Sequence, residues 1–404
     1  MLTLAGLHSL HTQKDVLRGR MDMQNQINEE FHVALPGNPF IAESEDGVCF
    51  INKLPPELLA RIFSVAIGSC HSTDDDDDVL DKHWSSLAEG AAEGAGGEAK
   101  AGTEGEQADD DSEGDSDETE SSDSPPPYPF PLIPSSVCRY WRYVGLSTPS
   151  LWTTVTICPT AGGSYEFEPM LLERSKSLPI DVWVNCNPHD YDANPPSGAE
   201  FRSVLSVLIP HIHRWSTMHV SVSDYHLMHA FLSAVSDPSV PAAPQLKTLS
   251  LYHDEEELEA FGTFWYPSMS NHYTLFGGYA PLLTKIIFWG VHVAWGQPWI
   301  ASASNLTDLV LAYHTEDVRP SWAQLVSILR GAPLKKLGLC LSGPSGEPQG
   351  WLIESTPGDL IAPIQLPRVT DFDLAYRSPA CAIELLRRFH LPSLKKSGAR
   401  VRGG

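Results

Sequence analysis

The C-terminal half of the chain repeats one pattern six times: two apolar residues with two positions between them, then a third after one intervening position. The last two members of each triplet are two residues apart, so they point to the same face of a short strand. Helix-like stretches separate several triplets, for example residues 323–330 and 381–389. The pattern therefore predicts an α/β region. The triplets are Trp215/Met218/Val220, Leu246/Leu249/Leu251, Leu283/Ile286/Phe288, Leu306/Leu309/Leu311, Leu334/Leu337/Leu339 and Val369/Phe372/Leu374.

A unit of strand, turn and helix repeated about every 30 residues is typical of a leucine-rich-repeat solenoid. The intervals between triplets vary, so we predict an irregular, leucine-rich-repeat-like solenoid; the alternative is an unrelated α/β domain. Leu394, Ser397 and Ala399 resemble a degenerate last unit, as expected of a capping end. Aromatic and imidazole side chains just past the strands would suit partner recognition if exposed, although partial burial is the simpler interpretation. They are Tyr252, His253, Trp289, Tyr313, His314 and Tyr376.

Helical periodicity appears upstream, on both sides of an acidic run. Pro55 and Pro56 favour a helix start, and Gly68 favours its end. The apolar residues between them form one broad face. They are Leu58, Leu59, Ile62, Phe63 and Ile67.

A second helix is predicted after the acidic run. Ser135 or Ser136 is its expected N-cap, and an apolar stripe follows with two arginines on the opposite side. The stripe is Val137, Cys138, Trp141 and Val144, and its place there predicts burial of Cys138. Taken singly, each helix is a generic core helix.

The charge of the chain is concentrated between these two helices. The 404 residues contain 27 Lys and Arg against 51 Asp and Glu, a net charge of −24. Residues 72–123 contain 20 acidic residues and two lysines, which leaves only six net negative charges elsewhere. With so few apolar residues the segment is predicted to be disordered. The simplest interpretation is a solvated insertion; the alternative is an acidic arm tuned by phosphorylation of Ser112 and Ser116. This charge disfavours nucleic-acid binding.

Taken together, the two helical segments resemble the F-box, the short helical motif that docks substrate receptors onto SCF-type ubiquitin ligases. The matching motifs are Leu54-Pro55-Pro56-Glu57-Leu58-Leu59 with Ile62-Phe63, then Val137-Cys138-Arg139-x-Trp141-x-x-Val144, then Thr148-Pro149-x-Leu151-Trp152. The chain resembles especially the expanded F-box families of mushroom-forming basidiomycete fungi. It departs from the pattern because the acidic run splits the motif, a loop whose extra closure entropy is about 2 kcal/mol.

The resemblance implies an α+β or α/β organisation with a small all-α F-box followed by the solenoid and interrupted by a disordered acidic insertion. The expected parts are an N-terminal tail with a possible amphipathic helix (1–47), a split F-box (48–70 and 128–158), the insertion (71–127) and a putative substrate-binding domain (159–404). The implied partners are a Skp-type adaptor and the cullin scaffold, with an unknown protein substrate. Adaptor contact is implied for Leu54, Pro55, Leu58, Leu59, Ile62, Phe63, Trp141 and Val144.

Other motifs point away from catalysis. Nucleotide-binding, zinc-protease and serine-hydrolase motifs are missing from the sequence, so we expect neither an enzyme nor a bound cofactor or metal. Seven scattered cysteines without a Cys-x-x-Cys pair, no signal-peptide pattern and no run of about 18 apolar residues predict a soluble protein of the cytoplasm or nucleus, not a membrane protein. Residues 125–128 match a WW-domain ligand, although a stiff linker is the simpler interpretation.

These observations favour a non-catalytic substrate receptor of an SCF-type ligase. The alternative is an F-box-like scaffold that binds a partner without any role in ubiquitylation. An enzyme concealed in the α/β region is the weakest hypothesis, because no reactive set of residues is visible.

Overall fold

The six apolar triplets lie side by side in one parallel sheet. The computed structural model describes residues 50–68, 132–159, 167–186, 195–253, 263–270, 273–301, 304–354, 363–376 and 378–401. The α/β prediction is confirmed for these residues. The strands are β1 (Thr154–Ile157), β2 (Ile180–Asn185), β3 (Trp215–Val222), β4 (Thr248–His253), β5 (Lys285–Trp289), β6 (Asp308–Ala312), β7 (Lys336–Cys340), β8 (Ile364–Gln365), β9 (Asp371–Tyr376), β10 (Phe389–His390) and β11 (Lys396–Val401).

Nine of the strands within the described ranges form one open sheet, in the order β1-β2-β3-β4-β5-β6-β7-β9-β11, with every neighbouring pair parallel. Strands β8 and β10 form a separate parallel pair. Consecutive strands of the large sheet are almost always neighbours. Such an order requires the chain to cross back between strands each time, and the intervening helices provide many of these connections.

Helices occupy most of the connections between strands. Their bounds are α1 (Pro56–Gly68), α2 (Leu132–Val137), α3 (Arg139–Ser147), α4 (Phe167–Arg174), α5 (Gly198–Leu208), α6 (Tyr225–Val235), α7 (Pro298–Ala301), α8 (Trp322–Gly331), α9 (Pro348–Glu354) and α10 (Pro379–Arg388). Capping residues fix several starts. Ser197 and Ser321 each form a reciprocal capping box with the residue three positions later. Helices α8 and α10 lie within two residues of their predicted bounds.

The register explains why the triplets repeat. The middle residues of neighbouring triplets pair across the sheet, as in Leu249–Ile286–Leu309, and so do the third residues. The first residues lie just before their strands, except Trp215, which begins β3, and all six are buried. The triplets therefore build one continuous apolar face. The degenerate last unit forms β11, where Ser397 and Ala399 stand in register with Phe372 and Leu374 of β9.

Several sequence predictions about the second helical segment are wrong. The predicted single helix is two helices, α2 and α3, with Cys138 between them as the N-cap of α3, where its Sγ accepts from the Trp141 N–H at 3.5 Å. Cys138 is therefore half-buried rather than buried. Ser135 is not a cap but lies buried within α2, and Val137 is 58% exposed. The cysteine sulfur is a weak acceptor, and this is enough for it to serve as the N-cap.

The chain divides into two compact units, residues 1–59 and 60–404, and the large sheet belongs to the second. Within this second unit, β1 already pairs with β2 along its whole length. The sheet therefore begins inside the segment 128–158 that the sequence assigned to the F-box.

Candidate docking site on the N-terminal helices

Helix α1 has apolar residues on two faces. Leu59 and Phe63 are buried at 0% and 3% exposure. Leu58, Ile62 and Val65 follow the helical spacing i, i+4, i+7 and are 53%, 44% and 63% exposed. A globular helix normally needs only one apolar stripe, so the second face is available to a partner.

The buried face of α1 is anchored by the downstream half of the split motif. The ring of Phe63 lies against the indole of Trp141 in α3, with 5.1 Å between ring centroids. Val144, one turn further along α3, is fully buried. Two segments separated by the acidic run therefore meet in space.

Close packing fixes the geometry of α2 and α3. A Cβ at Gly145 would lie 2.6 Å from the Ser135 hydroxyl, so any larger residue there would force the Ser135 side chain to move. The Gly145 carbonyl accepts from the indole Nε1–H of Trp152 at 2.9 Å, and Arg142 Nε donates to the Ser135 carbonyl at 2.9 Å. The Arg174 guanidinium lies 4.4 Å from the centroid of the Trp152 ring, on its face. These contacts bind the helices rigidly to the start of the sheet.

Exposed apolar side chains are concentrated in α1, α2 and α3. Fifteen large apolar residues in the described part of the chain are exposed, and seven belong to these three short helices. Such a concentration marks an interaction surface better than single exposed residues do. The seven are Leu58, Ile62, Val65, Ile133, Val137, Tyr143 and Leu146.

The structure divides the residues implied in adaptor contact into two groups. Pro55, Leu58 and Ile62 are exposed, and Leu54 and Trp141 are partly buried. Leu59, Phe63 and Val144 are buried and shape the helices from within.

Sequence reasoning missed four of the exposed apolar residues of these helices. In α1, the signal was present, because Val65 continues the spacing of Leu58 and Ile62. Ile133, Tyr143 and Leu146 have no such signal, since their exposure depends on the break at Cys138.

The aromatic and imidazole residues just past the strands are buried, so they do not form the exposed recognition surface that was considered beside partial burial. Tyr252, His253, Trp289, Tyr313 and His314 are each at most 9% exposed, and the side chain of Tyr376 lies outside the described residues. Five rings in this region instead form a row across neighbouring strands, in which the first and last pairs are stacked and the two middle pairs are tilted. The successive centroid distances are 4.7 Å from Trp183 to His219, 5.1 Å to Tyr252, 6.4 Å to Trp289 and 4.4 Å to Tyr313.

Two histidines in the sheet region, His253 and His314, are almost completely buried. Burial lowers the pKa of His253 to about 4 and that of His314 to about 3. In the 3-10 helix Ile209–Arg214, burial and the neighbouring Arg214 lower the pKa of His211, whose Nδ1 lies 3.4 Å from the guanidinium. Across the described residues, no group of three or more histidine, cysteine or acidic side chains could hold a metal ion.

Several predicted features lie outside the described residues. They are the amphipathic stretch of residues 1–47, the acidic insertion with Ser112 and Ser116, and the Pro-Pro-x-Tyr motif at residues 125–128.

No protein-family model matches the chain, and no curated protein matches it. Among the helices within the described ranges, none is both long enough and apolar enough to cross a bilayer.

Proposed function

We propose that this chain is a non-catalytic substrate receptor of an SCF-type ubiquitin ligase, and that the exposed face of α1 binds a Skp-type adaptor. The observation that carries the proposal is the second apolar face of α1, formed by Leu58, Ile62 and Val65, on a helix whose opposite face is anchored through Phe63 and Trp141. The order of the motifs along the chain supports the same assignment.

The physical basis is helix docking into an apolar groove. Each of these three side chains is about half exposed, so covering it contributes about 1 kcal/mol. A few such anchors usually dominate the affinity of this kind of interface. The buried residues Leu59 and Phe63 act indirectly, since they hold the helix at a fixed angle.

The sheet region then holds the protein target. A receptor of this class performs no chemistry of its own. It brings its target close to a ubiquitin-charged enzyme on the cullin scaffold, and this proximity raises the effective concentration of the reacting groups.

The test is binding of the full chain to a purified Skp-type adaptor, compared with Ile62→Asp. A carboxylate buried without a partner at an apolar interface costs more than about 3 kcal/mol, so we expect at least about 100-fold weaker binding. Leu282→Asp is the matched control, because Leu282 and Ile62 are both 44% exposed but Leu282 lies beside the sheet. Circular dichroism checks that both variants are folded.

Equal loss of binding in both variants, or unchanged binding by Ile62→Asp, would contradict the assignment of α1. Wild-type protein that does not bind any adaptor would leave the F-box-like scaffold as the better hypothesis. If the Ile62→Asp variant also fails to promote turnover of a target protein, that result would support the proposed role in ubiquitylation in addition to adaptor binding.

A further inference from the structure

Lysines line up where the parallel strands begin. Five neighbouring strands each begin with a charged residue, and these five residues stand in register across the sheet. They are Lys285, Asp308, Lys336, Asp371 and Lys396. Lysines therefore recur on every second strand, with an aspartate between each pair. Strands lie about 4.8 Å apart, so successive lysines of this inner row are about 10 Å apart.

A second row of residues lies one position earlier. Thr284 N–H donates to the Lys247 carbonyl, Thr370 N–H to the Lys335 carbonyl and Lys395 N–H to the Thr370 carbonyl, so these residues continue the ladder past the strand ends. The row contains no carboxylate. Its members in order are Ser216, Lys247, Thr284, Thr307, Lys335, Thr370 and Lys395.

All three lysines of the outer row, Lys247, Lys335 and Lys395, are exposed. In the inner row Lys396 is exposed, whereas Lys285 and Lys336 are partly buried. The threonine hydroxyls bond inward: Thr284 donates to the Lys247 carbonyl at 3.0 Å, and Thr307 to the Thr284 carbonyl at 3.2 Å. The charge that faces solvent along this edge therefore comes from lysine.

Counted together, the two rows hold six lysines and two aspartates, a surplus of four positive charges. The chain as a whole carries −24. A positive edge on so negative a protein attracts acidic segments selectively, over a distance of about 8 Å at physiological salt.

We propose that this lysine edge binds an extended acidic peptide of a partner protein, with a carboxylate at every third residue. An extended or polyproline-II chain advances about 3.1–3.3 Å per residue, so three residues cover the spacing of about 10 Å between lysines on alternate strands. The pair Lys335 and Lys395 repeats that spacing in the outer row, where β9 alone lies between β7 and β11. This inference names the target segment for the proposed receptor, but it concerns a surface remote in sequence from α1.

The test is fluorescence polarisation of the full-length protein with labelled ten-residue Glu/Gly peptides at about 50 mM salt. All peptides carry four glutamates, placed at every third residue, at every second residue or in one block. We expect the peptide with a glutamate at every third residue to bind at least fivefold more tightly than the other two. The variant Lys335→Ser/Lys395→Ser should lower this affinity at least tenfold. The charge-matched control Lys176→Asn/Arg202→Ser, which removes two cations outside the edge, should bind like wild type.

Equal affinity for all three peptides, or equal losses in the two variants, would overturn the inference in favour of non-specific attraction. No peptide binding would also overturn it. Carbodiimide cross-links from Lys335 or Lys395 to carboxylates of residues 72–123 of the same chain would assign the edge to the chain's own acidic segment instead. Adaptor binding is measured separately, so a failure here leaves the assignment of α1 standing.

Discussion

Burial of His314 makes a quantitative prediction about acid stability. The imidazole is completely enclosed, with Nε2 2.6 Å from the Val291 carbonyl and Nδ1 2.8 Å from the Ser342 hydroxyl. A carbonyl only accepts, so Nε2 carries the proton and Nδ1 accepts from the serine. Both nitrogens are then used by the neutral ring. Protonation would bury a charge in this enclosed site, and this burial lowers the pKa of His314 to about 3.

The magnitude follows from linkage between protonation and folding. Both buried histidines have a folded-state pKa below the ordinary 6.5, about 3 for His314 and about 4 for His253. Their stabilisation is complete above pH 6.5 and is lost as the pH falls, because the unfolded chain takes up protons first. Between pH 6.5 and 4.5 each contributes a loss of about 2.5 kcal/mol, so the pair costs about 5 kcal/mol. That is a large part of a typical total stability of about 5–15 kcal/mol.

The assay is urea unfolding followed by tryptophan fluorescence at four pH values from 7.5 to 4.5. His314→Gln removes the titrating group, and His390→Gln at an exposed position is the matched control. We expect His314→Gln to be less stable at pH 7.5 by about 1–3 kcal/mol, because the hydrogen bonds of the buried ring are lost. Its further loss down to pH 4.5 should be about 2.5 kcal/mol smaller than that of the wild type and the control.

Parallel pH profiles of wild type and His314→Gln would refute the reasoning, because a buried neutral imidazole cannot be removed without changing the number of protons bound on unfolding. Carboxylates that titrate in the same pH range are present in all three proteins, so their contribution to the free energy of unfolding cancels when the pH profiles are compared.

Three further predictions concern packing, a buried charge and a helix start. In Gly338→Val the new Cβ would lie 3.2 Å from a Val310 methyl group, so unfolding should become easier by about 1–3 kcal/mol in a denaturant titration; an unchanged midpoint would contradict this close approach. Arg214→Met removes the buried guanidinium that donates to the Leu172 carbonyl and to the Ser175 hydroxyl, each at 2.7 Å, and we expect a loss of about 2–3 kcal/mol by the same titration, whereas a neutral result would mean that water replaces the guanidinium. Ser321→Ala removes the capping box of α8 and should cost about 1 kcal/mol, seen as a melting temperature lower by about 2–4 °C; Ser206→Ala, mid-helix and exposed, should leave it unchanged.

Much of the local structure could be predicted from the chain because it depends on residues close in sequence. The two-residue spacing in Met218 and Val220 determines a strand with one apolar face, whatever lies beside it. The same is true of α1, which begins at the predicted prolines and ends at Gly68. Strand β2 was missed although Val182 and Val184 alternate with polar neighbours, because it has no triplet before it.

Only the tertiary structure decided which of these faces are covered. Ile62 and Phe63 are both apolar and adjacent, yet Ile62 is exposed and Phe63 is buried, because the ring of Phe63 packs against Trp141 of α3, a contact that helical periodicity does not specify. The lysine edge likewise exists only through the register of paired residues that lie 23 to 35 positions apart in the chain, which no local pattern specifies. Periodicity fixes the direction of a side chain relative to its own backbone. What that side chain meets is fixed by distant segments, and this is why the function proposed for α1 depends on the fold.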